Sequence, residues 1–204
     1  MNVQKIIDSV RPFSKSSVPR LKGLVDTLRK IDSINLQGDV VECGVWKGAN
    51  IALVRKVSPK RVCWLFDTFN GMANASEHDV THKGHRMSEG KAAVSIAEVV
   101  SNLCNAGVYD TSYLRFIEGE VETSLTFATN LPKKIALLRL DTDWYHSTRI
   151  ELEVLYPRLV TNGYLIVDDY GHWMGARKAV DDFFVGARPL FEYVDYSCII
   201  AMKP

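Results

Sequence analysis

IALLRLDTDWYHSTRIELEVLYPRLVTNGYLIVDD, residues 135–169, is the stretch that decides the fold. Two largely apolar runs, IALLRL and YLIV, each end in carboxylates: Asp141 after the first, Asp168 and Asp169 after the second. Continuous Val, Ile and Leu without alternation marks parallel strands covered on both faces, and the helical stretch at 146–160 supplies the crossover between them. Open α/β sheets bind ligands just beyond the carboxyl ends of such strands. Three carboxylates meeting there repel one another unless a cation or bound protons neutralise them. The alternative is that Asp141 and Asp168 only cap the helices that follow.

Working outward, DVVECG (39–44), RVCWLFD (61–67) and YLRFIEG (113–119) read as three further strands, separated by helical stretches at 48–57, 94–106 and 121–129. A helix at 174–186 precedes two short runs, LFEYVD (190–195) and SCIIAMK (197–203), spaced as a hairpin. The pattern predicts one domain over residues 1–204: a doubly wound, Rossmann-like α/β fold with five parallel strands and a terminal antiparallel hairpin, seven in all. Within residues 1–36, helices at 3–10 and 18–34 are expected to pack over a sheet edge or a neighbouring subunit of a homo-oligomer. Residues 70–93 break the rhythm with a polar, glycine-bearing segment holding three of the five histidines, and are expected to form an active-site lid.

Composition narrows the partners. At 204 residues, with 47% hydrophobic and 24% charged, the chain suits a full-sized core and excludes large-scale disorder. Lysine plus arginine number 25 against 24 acidic residues, so no basic field draws it to nucleic acid or to a membrane surface. The N-terminus MNVQKIIDSVRPF has no uninterrupted apolar core, and a cytoplasmic protein acting on a small molecule is expected. Cys43, Cys63, Cys104 and Cys198 lie far apart without metal-binding spacing, and none is read as a nucleophile.

The turn after the first strand carries the ligand signal. Gly44 permits a sharp turn and Gly48 opens a helix whose free N–H groups favour an anion. Glu42 before that turn opposes a pyrophosphate but suits the cationic amine of an amino acid. Asp67, at the end of the second strand, is placed to accept hydrogen bonds from ribose hydroxyls. Ammonium, carboxylate and ribose together describe S-adenosylmethionine.

GDVVECGVWKGAN, LFDTFNGM, LLRLDTDWYHST and GYLIVDDYGHWMGARKAVDDF resemble the macrocin O-methyltransferase family, from about Leu21 to the C-terminus. The resemblance implies a magnesium- and S-adenosylmethionine-dependent O-methyltransferase acting on a sugar hydroxyl or glycoside. It places magnesium on Asp141, Asp168 and Asp169, cofactor on Glu42, Gly44 and Asp67, and adenine near Gly119 and Glu120. A cation that chelates two neighbouring substrate oxygens would acidify the attacking hydroxyl. Asp141 is the first candidate for base, with His82, His85 or His146 better matched in pKa. Asp143 is read as a supporting group, and Trp144 as pocket wall or core edge. A catechol-like acceptor, or a non-catalytic cofactor-binding protein of this fold, are the alternatives.

Overall fold

The computed structural model of the chain describes residues 2–72, 75–86, 92–127, 129 and 131–204. Its strands are β1 (Asp39–Cys43), β2 (Cys63–Asp67), β3 (Leu114–Glu118), β4 (Ile135–Leu140), β5 (Leu159–Val167), β6 (Phe191–Tyr193) and β7 (Ile199–Met202). They form one seven-stranded sheet in the order β3-β2-β1-β4-β5-β7-β6. The first five run parallel; β7 is antiparallel to β5, and β6 to β7, as the two short C-terminal runs predict.

The helices are α1 (Val3–Val10), α2 (Val18–Ser33), α3 (Ala49–Val57), α4 (Ile96–Asn105), α5 (Val121–Ser124), α6 (Tyr145–Leu155) and α7 (Met174–Phe183). On one face α1 to α4 bury Leu24, Leu28, Ile51 and Leu103 against Val40, Leu65 and Leu137. On the other, α6 and α7 bury Leu152, Leu155 and Val180 against Val41, Leu138 and Val167. Every residue of β4 is buried, which is why its sequence lacks alternation. The N-terminal helices cover a sheet face, with α1 on α3 and α2 on both α3 and β5.

Boundaries moved where local chemistry intervened. Helix α6 stops at Leu155 because Pro157 sits in a 3-10 turn over 156–158, and β5 then starts at Leu159. The β4–β5 register jumps from Ile135–Leu159 to Leu137–Tyr164, so β5 absorbs extra residues before its regular stretch. Among the described residues no helix is long and apolar enough to cross a membrane. Of the expected lid, residues 73, 74 and 87–91 lie outside the described residues.

Candidate functional site

Strand order reverses between β1 and β4, and there a cleft of about 390 Å³ opens beyond the carboxyl ends of the strands. Gly44 lets these ends close up. Its φ is +83°, and a Cβ on it would stand 2.0 Å from the Asp141 carbonyl oxygen. The Asp141 N–H donates to the Cys43 carbonyl at 2.9 Å, so any side chain at Gly44 would force β1 and β4 apart. Gly48, also at φ +83°, begins α3, and a Cβ there would lie 2.9 Å from Val99 of α4. Gly44 lines the cleft, whereas Gly48 serves the packing of α3 on α4.

The acidic groups divide into two sets. Oxygens of Asp141, Asp143 and Asp169 all lie within 4.8 Å of one another. Asp168 lines the same cleft but is held by two arginines: its Oδ1 accepts from Arg139 Nη2 and its Oδ2 from Arg20 Nη1, each at 2.5 Å. Successive residues at a strand end point to opposite sides, which separates Asp168 from Asp169. After β4 ends at Leu140 the chain turns, with Asp143 at φ +69°, and this brings Asp143 beside Asp141. Asp143, expected only to support, is thus a member of the cluster, and the expected trio of Asp141, Asp168 and Asp169 is not brought together.

Arg139 was missed by sequence reading. Its guanidinium is buried in β4 and donates from Nη1 to Glu42 Oε1 at 2.9 Å and Asp141 Oδ2 at 2.7 Å, besides Asp168. One permanent cation therefore ties the ends of β1, β4 and β5. Burial pushes the carboxyls of Asp141 and Asp169 well above the usual range, with Arg139 pulling Asp141 back down. Burial likewise raises Asp143 to about 7, opposed by a hydrogen bond from Asp169. Asp169 Oδ2 is buried and has no hydrogen-bond partner. Three hard oxygen donors, one of them unsatisfied, without sulfur or imidazole, fit a magnesium-type cation.

At the cofactor end, Glu42 lies beneath the cleft surface. Its Oε1 accepts from Asn50 Nδ2 at 2.9 Å as well as from Arg139, its Oε2 is buried without a partner, and burial raises its carboxyl to about 7. Asn50, not singled out from sequence, lines the cleft and spends one amide hydrogen on Glu42, which leaves its Oδ1 as an acceptor for a ligand. Asp67 also lines the cleft, but its carboxylate accepts from the backbone N–H groups of Val45 (2.7 Å), Trp46 (2.9 Å) and Phe69 (2.9 Å). It braces two turns whose Trp46 and Phe69 adopt left-handed φ values of 46° and 51°. Gly119 and Glu120 line the cleft as expected, the Gly119 N–H donating to the Asp67 carbonyl at 3.0 Å.

The three candidate histidines do not line the cleft. His82 and His85 are exposed on the outer side of a segment that forms small bridges, Val80 with Arg86 and Thr81 with Trp173. His146 is exposed on α6, its ring 5.4 Å from that of Tyr145. The pocket wall is aromatic instead: Trp144 and Trp173 meet edge to face at 5.0 Å, packed by Met72.

Asp79 pins that wall. It is 1% exposed; its Oδ1 accepts from the Tyr145 N–H at 2.7 Å, capping α6, and its Oδ2 from the Ser76 N–H and hydroxyl at 2.6 Å. A Cβ on Gly175 would reach within 1.9 Å of Asp79 Oδ1, so the segment docks only because the second residue of α7 is glycine. Asp79→Ala removes a cap and leaves buried donors open. We expect a loss of about 2 kcal/mol in urea unfolding, with new tryptic cleavage at Lys83 or Arg86. Unchanged stability and an intact segment would contradict the anchor.

A doubly wound sheet of this order, with an acidic cluster and a turn of ExGxxxG spacing at the reversal point, defines the Rossmann-like methyltransferase class. The profile described as Macrocin-O-methyltransferase (TylF) matches residues 13–199, and the chain belongs to that family. It is 33% identical over 175 residues to a demethyldecarbamoylnovobiocin O-methyltransferase of Streptomyces niveus, covering 81% of this chain and 65% of that protein. Over 173 residues it is 34% identical to an 8-demethyl-8-(2,3-dimethoxy-alpha-L-rhamnosyl)-tetracenomycin-C 4'-O-methyltransferase of Streptomyces olivaceus, covering 80% of this chain and 64% of that protein. The chain thus spans just under two thirds of the length of these relatives. Among solved structures, that of the O-methyltransferase NovP superimposes with a TM-score of 0.84 at 27% identity, covering 94% of this chain and 82% of that one.

Proposed function

We propose that the protein methylates a hydroxyl of a sugar or glycosylated small molecule, taking the methyl group from S-adenosylmethionine with magnesium in the cleft. The observation that carries this reading is one cleft with two ends: Asn50, Asp67 and Gly119 at one, and Asp141, Asp143 and Asp169 with an unsatisfied oxygen at the other. Both relatives named above are by their names O-methyltransferases, and the Streptomyces olivaceus one is named for a rhamnosyl tetracenomycin, which supports the acceptor class. S-adenosylmethionine supplies an electrophilic sulfonium methyl, and magnesium supplies charge that acidifies and orients two neighbouring acceptor oxygens.

The chain's own residues do the rest. Asn50 Oδ1 accepts from the ammonium group, with Glu42 behind it fixing the amide orientation. Asp67 holds the Val45–Trp46 turn and offers its remaining lone pairs to ribose. Asp143 takes the hydroxyl proton while the new O–CH₃ bond forms and the S–CH₃ bond breaks, leaving a neutral thioether. Asp143 suits the role better than Asp141 because no arginine among the described residues engages its carboxylate, whereas Asp141 Oδ2 is held by Arg139. Trp144 and Trp173 exclude water and offer flat apolar surface to a ring.

Calorimetry with S-adenosylmethionine tests the cofactor end. Asn50→Ala should weaken binding about tenfold or more, the cost of one hydrogen bond to a charged group. Equal affinity would remove Asn50 from the site. Asp143→Asn should bind cofactor normally and lose turnover by about 100-fold or more.

A further inference from the structure

Beneath the acidic turn lies a carboxyl that the chemistry above does not use. Glu151 of α6 is 0% exposed, with Thr142 and the Cys43 thiol beside it. Its Oε2 accepts from Thr142 Oγ1 at 3.2 Å, and its Oε1 is buried without a partner. Leucine would fill that volume with no polar atom to desolvate. Thr142 stands between two members of the cluster, and the next residue, Asp143, has φ +69°, a left-handed conformation that a non-glycine residue keeps only when its surroundings impose it. The Asp141 side chain is held from one side by Arg139; the middle of the turn is held from below by Glu151.

We infer that Glu151 is a positioning residue: through Thr142 it holds the Asp141–Asp143 turn in the shape that lets Asp141, Asp143 and Asp169 share one divalent cation. The inference rests on the metal reading of the cleft proposed above. Burial raises the Glu151 carboxyl above its usual range, opposed by the hydrogen bond from Thr142. Glutamine, neutral and of the same shape, can take its place.

The test uses the full chain and manganese alone as probe, by calorimetry, in the parent protein, Glu151→Gln, Glu151→Leu, Thr142→Val and the Glu151→Leu/Thr142→Val double variant. Glu151→Leu and Thr142→Val should each weaken manganese binding about 10–100-fold, the range for groups that orient metal ligands. The double variant should be no weaker than either, because both remove one contact. Glu151→Gln should bind like the parent, and all variants should keep the parent's affinity for S-adenosylhomocysteine, a readout that general loss of structure would move. If Glu151→Leu does not fold, Thr142→Val and Glu151→Gln carry the comparison. Parent-like manganese binding in Thr142→Val, weak binding in Glu151→Gln, or additive losses in the double variant would overturn the inference. A parent protein that binds no manganese overturns the metal reading itself.

Discussion

Replacing Arg139 by Met is expected to cost about 3–5 kcal/mol of stability, the range for removing one partner of a buried ion pair. Three carboxylates, Glu42, Asp141 and Asp168, accept from this one guanidinium at 2.9, 2.7 and 2.5 Å. Methionine fills the volume but leaves them facing one another in a medium that screens little. Only Asp168 retains a second cation, Arg20. For a chain of this length the loss corresponds to a fall of roughly 10 °C in melting temperature at neutral pH. The deficit should shrink on acidification, because Glu42 and Asp141, whose carboxyls burial raises, no longer need the cation once protonated. Arg139→Met melting within a degree of the parent across that range would show that the cluster does not depend on its arginine.

The second large effect concerns protons and metal together. Asp141, Asp143 and Asp169 are all raised by burial in the folded protein, Asp143 to about 7 from an ordinary 3.8. The folded metal-free state therefore holds more protons than the unfolded chain between about pH 4 and 7, so its stability falls as pH rises through that window. A divalent cation displaces these protons, so magnesium should stabilise more at pH 8 than at pH 5 and release protons on binding. Asp169→Asn should abolish the magnesium-dependent increment while leaving cofactor binding intact. Thermal melts at both pH values, with and without EDTA, measure this; identical curves would contradict the cluster as a cation site.

How far these groups were legible in the sequence depends on the kind of signal each one leaves. The strands β4 and β5 announce themselves because a parallel strand buried on both faces has no alternation to disguise it. The C-terminal hairpin follows from two short runs too close for a crossover. Gly44 was legible as a required glycine, though what it approaches is the Asp141 carbonyl. Arg139 was hidden inside the apolar run it interrupts. The clue was a single charge in a strand otherwise fully buried, which demands carboxylate partners. Asp143 was read only as a supporting group, because the turn that brings it to Asp141 begins where the strand pattern stops. Asp79 could not be found locally, because the N–H it caps belongs to Tyr145, 66 residues away. The histidines could not be placed from sequence, because the docking of Val80–Arg86 decides which side His82 and His85 face, and His146 lies exposed on α6.

The central claim is methyl transfer that needs both ends of one cleft, and its most direct test is product formation by the full chain. The protein would be incubated with methyl-labelled S-adenosylmethionine and a panel of glycosides bearing adjacent free hydroxyls, with catechols alongside, in magnesium or in EDTA. The account predicts labelled O-methyl glycoside together with S-adenosylhomocysteine in magnesium, none after verified metal removal, and recovery when magnesium is returned. Full-rate methylation by metal-free protein, or catechols methylated while every glycoside is refused, would contradict it.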